Sequence, residues 1–253
     1  MTDKLKALVI GGSGSLGAEV CRVLAQKGFD LAFTYHRGNE KADTLSAKLR
    51  EQGYAAHAFA LDLTDIEQVK SVVGKANEKL GKLDSLVITS GLATVLSAEG
   101  RPMLPKYFEI TPDSFDKMME VNVRGVFFAC QEAAQIMAAQ GGGRIVITGS
   151  IDGVKTAYAP VDYVCCKTAL WGITQALAKE LGKDNILVNM IAPGIMEGGV
   201  ADLLSEKLMR EYVKHCSLKR VGKFAEIANM IAFLAGPKNT YITGQAVILD
   251  GGL

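Results

Sequence analysis

Chemistry in this sequence is concentrated around two residues four apart, Tyr163 and Lys167, in the run Tyr163-Val164-Cys165-Cys166-Lys167. On a helix that spacing places both side chains on one face. A free phenol titrates near pH ~10. An ammonium beside it favours the tyrosinate and lowers that value, so the phenol can exchange a proton with an alcohol or carbonyl oxygen near neutral pH. The pair alone arises often by chance, and a surface tyrosine stacked on a lysine stem satisfies it equally. Ser150 adds context. It ends the apolar run Arg144–Thr148 plus Gly149, 13 residues before Tyr163, at the carboxyl edge where α/β sheets bind ligands. Its hydroxyl can hydrogen-bond a substrate oxygen. It is a poor hydrolase nucleophile, because Thr148 and Asp152 stand where a Gly-x-Ser-x-Gly elbow needs glycines. Asn122 is polar within the apolar stretch Met118–Val123 and reads either as part of this site or as a satisfied core amide.

A second group of residues suits a phosphate-bearing ligand. Ile10-Gly11-Gly12-Ser13-Gly14-Ser15-Leu16-Gly17 joins a first strand to a first helix. Small residues there let backbone approach a phosphate, and the helix start offers free N–H groups; a tight turn without ligand is the bland alternative. The second strand ends Thr34-Tyr35-His36-Arg37, with no acid to hold ribose hydroxyls. Arg37 can pair with a 2′-phosphate or stand as a solvated surface charge. Asp62, in Leu61-Asp62-Leu63, either accepts from an adenine amino group or helps cap the helix at Asp65.

Positioning these residues requires alternating strands and helices. Apolar runs at Leu5–Ile10, Asp30–Tyr35, Ala55–Ala60, Ser85–Ile88, Arg144–Thr148, Leu187–Ile191 and Ala246–Leu249 predict seven strands. Helices are predicted at Leu16–Lys27, Asn39–Gln52, Asp65–Leu80, Pro112–Gln140, Pro160–Leu181 and Phe224–Ala235, with Gly28, Gly53 and Gly81 closing the first three. The alternation predicts an α/β fold, a Rossmann-type doubly wound seven-stranded parallel sheet with helices on both faces, in one domain over 1–253. Leu92–Thr111 and Ile195–Arg220 fit poorly and read as binding loops or lids.

Composition narrows the function classes. At 253 residues with 49% hydrophobic and 22% charged residues, disorder is excluded. A net charge of +1 gives no field for a general nucleic-acid binder or a polybasic membrane binder. No stretch of about 18 apolar residues predicts a membrane span, and His36, His57 and His215 lie too far apart to suggest a metal site. The N-terminus enters a strand at once, without a signal-peptide core. Cys21, Cys130, Cys165, Cys166 and Cys216 form no C-x-x-C pair and read as buried thiols of a reducing, cytoplasmic compartment.

Taken together, these motifs resemble the short-chain dehydrogenase/reductase family over essentially the whole chain, most closely its 3-oxoacyl carrier-protein reductase-like branch. The resemblance is carried by Gly11–Gly17, Asp62-Leu63, Asn122, Ser150, Tyr163-x-x-x-Lys167, Asn189–Gly194 and Tyr241–Gln245 followed by Asp250-Gly251-Gly252. It implies an oxidoreductase moving a hydride between a nicotinamide dinucleotide and a carbonyl or secondary alcohol. Tyr163 would be the acid/base, Ser150 would polarise the substrate oxygen, Lys167 would lower the Tyr163 pKa and bind the nicotinamide ribose, and Asn122 would hold a water. Gly11, Ser13, Gly14, Ser15, Leu16, Gly17, Asp62, Leu63, Ser90, Gly91, Pro193, Gly194 and Met196 would line the dinucleotide. His36 and Arg37 would make it NADP(H) rather than NAD(H).

The sequence departs from the family pattern at several positions: Ile10 for a threonine, Ser15 for a glycine, Gly14 for a basic residue, Ile88-Thr89-Ser90-Gly91 for Asn-Asn-Ala-Gly, and Gly198 for a threonine that contacts the carboxamide, leaving Glu197 as a substitute. Leu92–Thr111, with Tyr107 and Phe108, would form a substrate wall or a partner contact, and Val200–Val213 resembles the mobile lid. A homotetramer is expected through the helices at Pro112–Gln140 and Pro160–Leu181, whose Ala129, Ala133, Ala134, Ala169, Leu170 and Ala176 are small or apolar and could equally be sheet-facing core. The competing reading from another class is a non-catalytic NADP-binding regulatory module, which would have no need of the set Asn122, Ser150, Tyr163 and Lys167.

Overall fold

The computed structural model describes residues 4–96, 102–155 and 159–253. Strand β1 (Leu5–Ile10) leads into α1 (Ser15–Gln26), β2 (Phe29–Tyr35), α2 (Glu40–Glu51), β3 (Ala56–Ala60), α3 (Ile66–Leu80) and β4 (Ser85–Ile88). A short antiparallel ribbon follows, β5 (Val95–Leu96) on β6 (Pro102–Met103). Then come α4 (Pro112–Met119), α5 (Gly125–Ala139), β7 (Gly143–Thr148), α6 (Val161–Leu181), β8 (Ile186–Pro193), α7 (Glu206–His215), α8 (Phe224–Ala235) and β9 (Ala246–Leu249).

The seven predicted strands form one parallel sheet in the order β3-β2-β1-β4-β7-β8-β9. The central strands are mostly apolar, with runs such as Ala7–Ile10, Leu86–Ile88 and Ile145–Ile147, because both of their faces are covered. Leu8 and Ile10 of β1, Leu86 and Ile88 of β4, and Ile145 and Ile147 of β7 pack with α3 and α5 residues such as Val69, Val73, Ala129 and Ala133. Alternate residues Ala7, Val9, Val87 and Val146 face the opposite layer with Val20, Leu24, Ile227 and Ile231 of α1 and α8. Strand order reverses between β1 and β4, and the carboxyl ends on either side of that switch point form the crevice where such sheets bind ligands. The turns after β1, β4, β7 and β8 all open there.

Local chemistry sets the helix limits. The Asp65 side chain accepts from Gln68 N–H at 3.0 Å to start α3, and Gly81 closes it at φ 81°. Thr111 and Ser114 form a capping box ahead of α4, with Pro112 in its first turn. The predicted continuous helix Pro112–Gln140 is interrupted: Glu120–Arg124 is a π turn joining α4 to α5. Asn122 sits inside it, and its Nδ2 donates to the Met118 carbonyl at 3.0 Å. Such bulges recur at functional sites. The segment Ile195–Arg220 is not a plain loop but holds a 3₁₀ turn, Gly199–Leu203, and helix α7.

Two expectations about packing are corrected. Cys165 is exposed on α6, while the other four thiols are buried; its neighbour Cys166 takes the inward position of the helix. Ala129, Ala133, Ala134 and Leu170 are core residues beneath the sheet, so they form no subunit face. The large exposed apolar residues on those helices are Phe115, Phe127 and Val161, and of the other two named residues Ala176 is exposed and Ala169 half-buried. Among the described residues, no helix is long and apolar enough to cross a membrane.

Candidate active site

Helix α6 packs its N-terminal half against the loop after β7, which brings Ser150, Tyr163 and Lys167 together. Lys167 Nζ lies 5.4 Å from the centre of the Tyr163 ring. Asn122 arrives from the π turn: Asn122 Oδ1 and Lys167 Nζ border the same point above Gly91, where a Cβ would stand 2.6 Å from one and 3.3 Å from the other. Only a glycine fits there. All four residues predicted for catalysis therefore meet at the carboxyl edge of the sheet.

Burial controls the electrostatics of this cluster. Lys167 is 5% exposed, and loss of solvation lowers its ammonium to about 8. Its protein partner is the Thr148 carbonyl at 3.4 Å, a long bond that leaves most of its donors for other groups. The expectation that Lys167 pulls the phenol down is not met in this state. Enclosure of the hydroxyl end pushes Tyr163 up to about 12, a hydrogen bond with Ser150 recovers part of that rise, and the Asp152 charge adds to it. Desolvation outweighs a cation that lies over the ring rather than at the oxygen. Two buried oxygens, Asn122 Oδ1 and Thr148 Oγ1, have no protein partner among the described residues. A bound water or ligand can satisfy such buried oxygens.

The phosphate turn is built as predicted, though with different supports. Gly11 adopts φ 83°, and a Cβ on it would collide with Ser90 Oγ, so the turns after β1 and β4 touch. Ile10 is buried and contributes no hydroxyl. Thr34 Oγ1 accepts from Gly11 N–H at 2.9 Å in its place, and Thr34 O accepts from Ser13 N–H at 3.3 Å. A Cβ on Gly17 would strike the Gly11 carbonyl. Helix α1 starts at Gly14 with no side-chain cap and no acid in its first turn, so its first N–H groups, around Ser15 and Leu16, are free to hold an anion. The Thr89 hydroxyl donates to the Ile10 carbonyl at 2.9 Å and so ties the turn after β4 to β1.

Around the adenosine side, Asp62 accepts from the Thr64 amide at 2.9 Å and the Thr64 hydroxyl at 2.8 Å. These bonds hold its carboxyl below the usual carboxylate range, with a smaller pull from His36. His36 Nε2 lies 3.6 Å from Asp62 Oδ2, so His36 faces the acid. Arg37 is exposed at the strand end. Beside Ser13 and Gly14 a groove of about 450 Å³ is bordered by Lys41 and Lys48 of α2, cations that sequence spacing did not single out. Leu63 is buried against Gly125 and can reach the crevice only through its backbone.

The far end of the crevice follows β8. Pro193 is buried, and Gly194 has no room for a Cβ beside Tyr212 Oη and Asp250. Met196 turns its sulfur toward Gly222. Glu197 accepts from the Phe224 amide at 3.2 Å and so serves the start of α8 rather than the crevice. Tyr212 of α7, not foreseen from sequence, accepts from Ile195 N–H at 2.9 Å. No residue of α7 is buried, which fits the lid-like position expected for Val200–Val213. Residues 97–101 of the expected substrate wall lie outside the described residues. Tyr107 and Phe108 stand 65% and 96% exposed, edge to face, and enclose nothing.

A dinucleotide fits this crevice. The uncapped helix start suits a pyrophosphate, the glycine at position 91 leaves space beside Lys167 Nζ for ribose hydroxyls, and the orphaned Asn122 and Thr148 oxygens face the same region.

Comparison with known proteins agrees with this geometry. A family model described as enoyl-(acyl carrier protein) reductase matches residues 11–253. A 3-oxoacyl-[acyl-carrier-protein] reductase from Staphylococcus aureus is 31% identical over 247 residues, 98% of this chain and 97% of its own. Among solved structures, a short-chain dehydrogenase/reductase from Serratia marcescens superposes with a TM-score of 0.89 at 34% identity, covering 98% and 97% of the two chains. A blue fluorescent protein from a metagenomic library, in complex with NADPH, gives 0.88 at 36% identity with the same coverage. With a match running from the first glycine of the phosphate turn to the last residue, and a reductase similar over nearly its full length, this chain belongs to the short-chain dehydrogenase/reductase family of oxidoreductases.

Proposed function

We propose that the protein is an NADP(H)-dependent carbonyl reductase, a single dinucleotide-binding domain over 1–253 that works as a homotetramer. The observation that carries this reading is the meeting of Ser150, Tyr163, Lys167 and Asn122 at the switch-point edge, with the buried Asn122 Oδ1 left without a protein partner among the described residues. A reduced nicotinamide dinucleotide held along the phosphate turn and beside Lys167 would supply the hydride for the carbonyl carbon. Tyr163 supplies the proton to the carbonyl oxygen, so the product is an alcohol and the residue is left as a tyrosinate. A phenol held at about 12 is fully protonated at neutral pH, the form that reduction consumes. Ser150 orients the oxygen being protonated.

Lys167 is two-sided. Its ammonium stabilises the tyrosinate formed in the reaction, and its remaining donors suit ribose hydroxyls. Asn122 Oδ1 and Lys167 Nζ face one gap above Gly91. One water there would accept from Lys167, donate to Asn122 and begin the path that returns a proton to Tyr163.

Preference for NADP(H) rests on Arg37, on the lack of an acid at the end of β2, on Lys41 nearby, and on the NADPH complex of the metagenomic relative. Tetramer formation rests on exposed Phe115, Phe127 and Val161. The test is oxidation of NADPH, followed by absorbance, against a panel of ketones and 3-oxoacyl thioesters. Turnover in the native protein and its loss in Tyr163→Phe support the assignment. Binding of NADPH without turnover on any member would favour a regulatory module.

A further inference from the structure

Ser150 carries one hydroxyl proton, and the structure spends it on a neighbour. Ser150 Oγ donates to Asp152 Oδ2 at 2.9 Å, while the Asp152 amide donates to Ser150 Oγ at 3.2 Å. Tyr163 also hydrogen-bonds to the serine. A serine expected to polarise a carbonyl oxygen is thus already committed to an ionised acceptor, which outcompetes a neutral ketone oxygen for a proton. The carboxylate is not turned to bulk solvent. Asp152 is partly buried, and its charge acts on both Tyr163 in the site and Tyr212 on the lid helix. It therefore lies in the substrate half of the crevice.

We propose that Asp152 is a specificity-determining residue that selects carbonyl substrates bearing a hydroxyl on the carbon next to the carbonyl. This rests on the carbonyl-reductase reading above. In such a substrate the two oxygens are close enough to address neighbouring groups spaced by one hydrogen bond, about 2.8 Å. The substrate hydroxyl donates to Asp152, the Ser150 proton is released to the carbonyl oxygen, and Tyr163 donates to that same oxygen during reduction. The substrate hydroxyl takes the place on Asp152 Oδ2 that the Ser150 proton held, so the exchange draws on no other position of the carboxylate. A simple ketone offers no such donor and leaves the Ser150 proton on Asp152.

The experiment compares kcat/KM for hydroxyacetone and acetone with NADPH in the native protein, Asp152→Ala and Asp152→Asn. The hydroxyl also alters intrinsic carbonyl reactivity, so the quantity read is the ratio of the two substrates in each protein, which cancels that effect. The native ratio should exceed the Asp152→Ala ratio by ~10-fold or more, the low end for a charge-assisted hydrogen bond. Acetone turnover should rise in Asp152→Ala because the serine proton is freed, a gain that a misfolded loop would not produce. Asp152→Asn, which keeps the shape and a neutral acceptor, should give an intermediate ratio. Equal ratios in all three proteins, or acetone and hydroxyacetone activity falling together, overturn the inference while leaving the reductase reading in place. Absence of turnover on both substrates and on the wider panel overturns both.

Discussion

Replacing Lys167 by Met should make the cofactor-free protein more stable at neutral pH while removing activity. Lys167 is held at about 8 by burial, against an ordinary 10.5. At about 1.4 kcal/mol for each unit, keeping the folded protein's lysine charged at pH 7 costs roughly 3 kcal/mol. Methionine preserves the unbranched stem and carries no charge. It gives up the 3.4 Å bond to the Thr148 carbonyl and the contact with the Tyr163 ring, together about 1 kcal/mol. The expected net gain is about 2 kcal/mol at pH 7. The sign follows from proton binding: between the folded value near 8 and the unfolded value near 10.5, the unfolded chain holds more protons, so the native protein gains stability as pH rises through that window. The advantage of Lys167→Met should therefore be full below pH ~8 and fall below about 1 kcal/mol by pH 9.5. Urea unfolding followed by circular dichroism, at equal protein concentration without cofactor, reads this directly. A variant less stable than the native protein at pH 7, or an advantage that does not change between pH 7 and 9.5, would refute the claim that desolvation dominates at this lysine.

Tyr163→Phe keeps the ring and removes the acid, so kcat should fall by roughly 10²–10⁴-fold with dinucleotide affinity little changed; single-turnover kinetics beside fluorescence titration of NADPH tests both halves, and an unaltered kcat would defeat the assignment. Arg37→Ala should weaken binding of 2′,5′-ADP by about tenfold, the low end for one charge-assisted pair, with no matching loss for 5′-AMP; calorimetry that finds equal losses would make Arg37 a general surface charge. Sedimentation at micromolar concentration should give a tetramer, and Phe127→Glu should split it. A native protein that sediments as a single chain would remove the helical faces of α4, α5 and α6 from consideration as an interface.

Much of the architecture could be read from residue order alone. A parallel sheet covered on both faces demands near-continuous apolar strands, and Ala7–Ile10 or Leu86–Ile88 display that. The Tyr163–Lys167 pair was legible because helical spacing is a local property. The π turn at Glu120–Arg124 was not, since one extra residue in a turn leaves composition and apolar pattern almost untouched. The direction of the Tyr163 shift was also misread. Spacing reports which charges are neighbours, whereas the value depends on how much water reaches the oxygen, a consequence of packing among elements distant in sequence. The same holds for Tyr212, which meets Ile195 only because α7 folds back over the end of β8.

The departures from the family pattern acquire a common physical meaning in the fold. Ile10 lacks the expected hydroxyl, yet Gly11 N–H still finds one, from Thr34 on the neighbouring strand. The asparagines expected after β4 are missing, yet the Ile10 carbonyl receives a side-chain donor, from Thr89. At the far end of the crevice the Tyr212 hydroxyl of α7 accepts from the Ile195 amide. Backbone groups at the rim of a crevice must be paired whichever side chain does it, because a buried unpaired N–H or C=O costs about 1–3 kcal/mol. The first two substitutions act within rigid strands and leave the phosphate turn in the same place. At the end of β8 the Ile195 amide takes its partner from a helix with no buried residue.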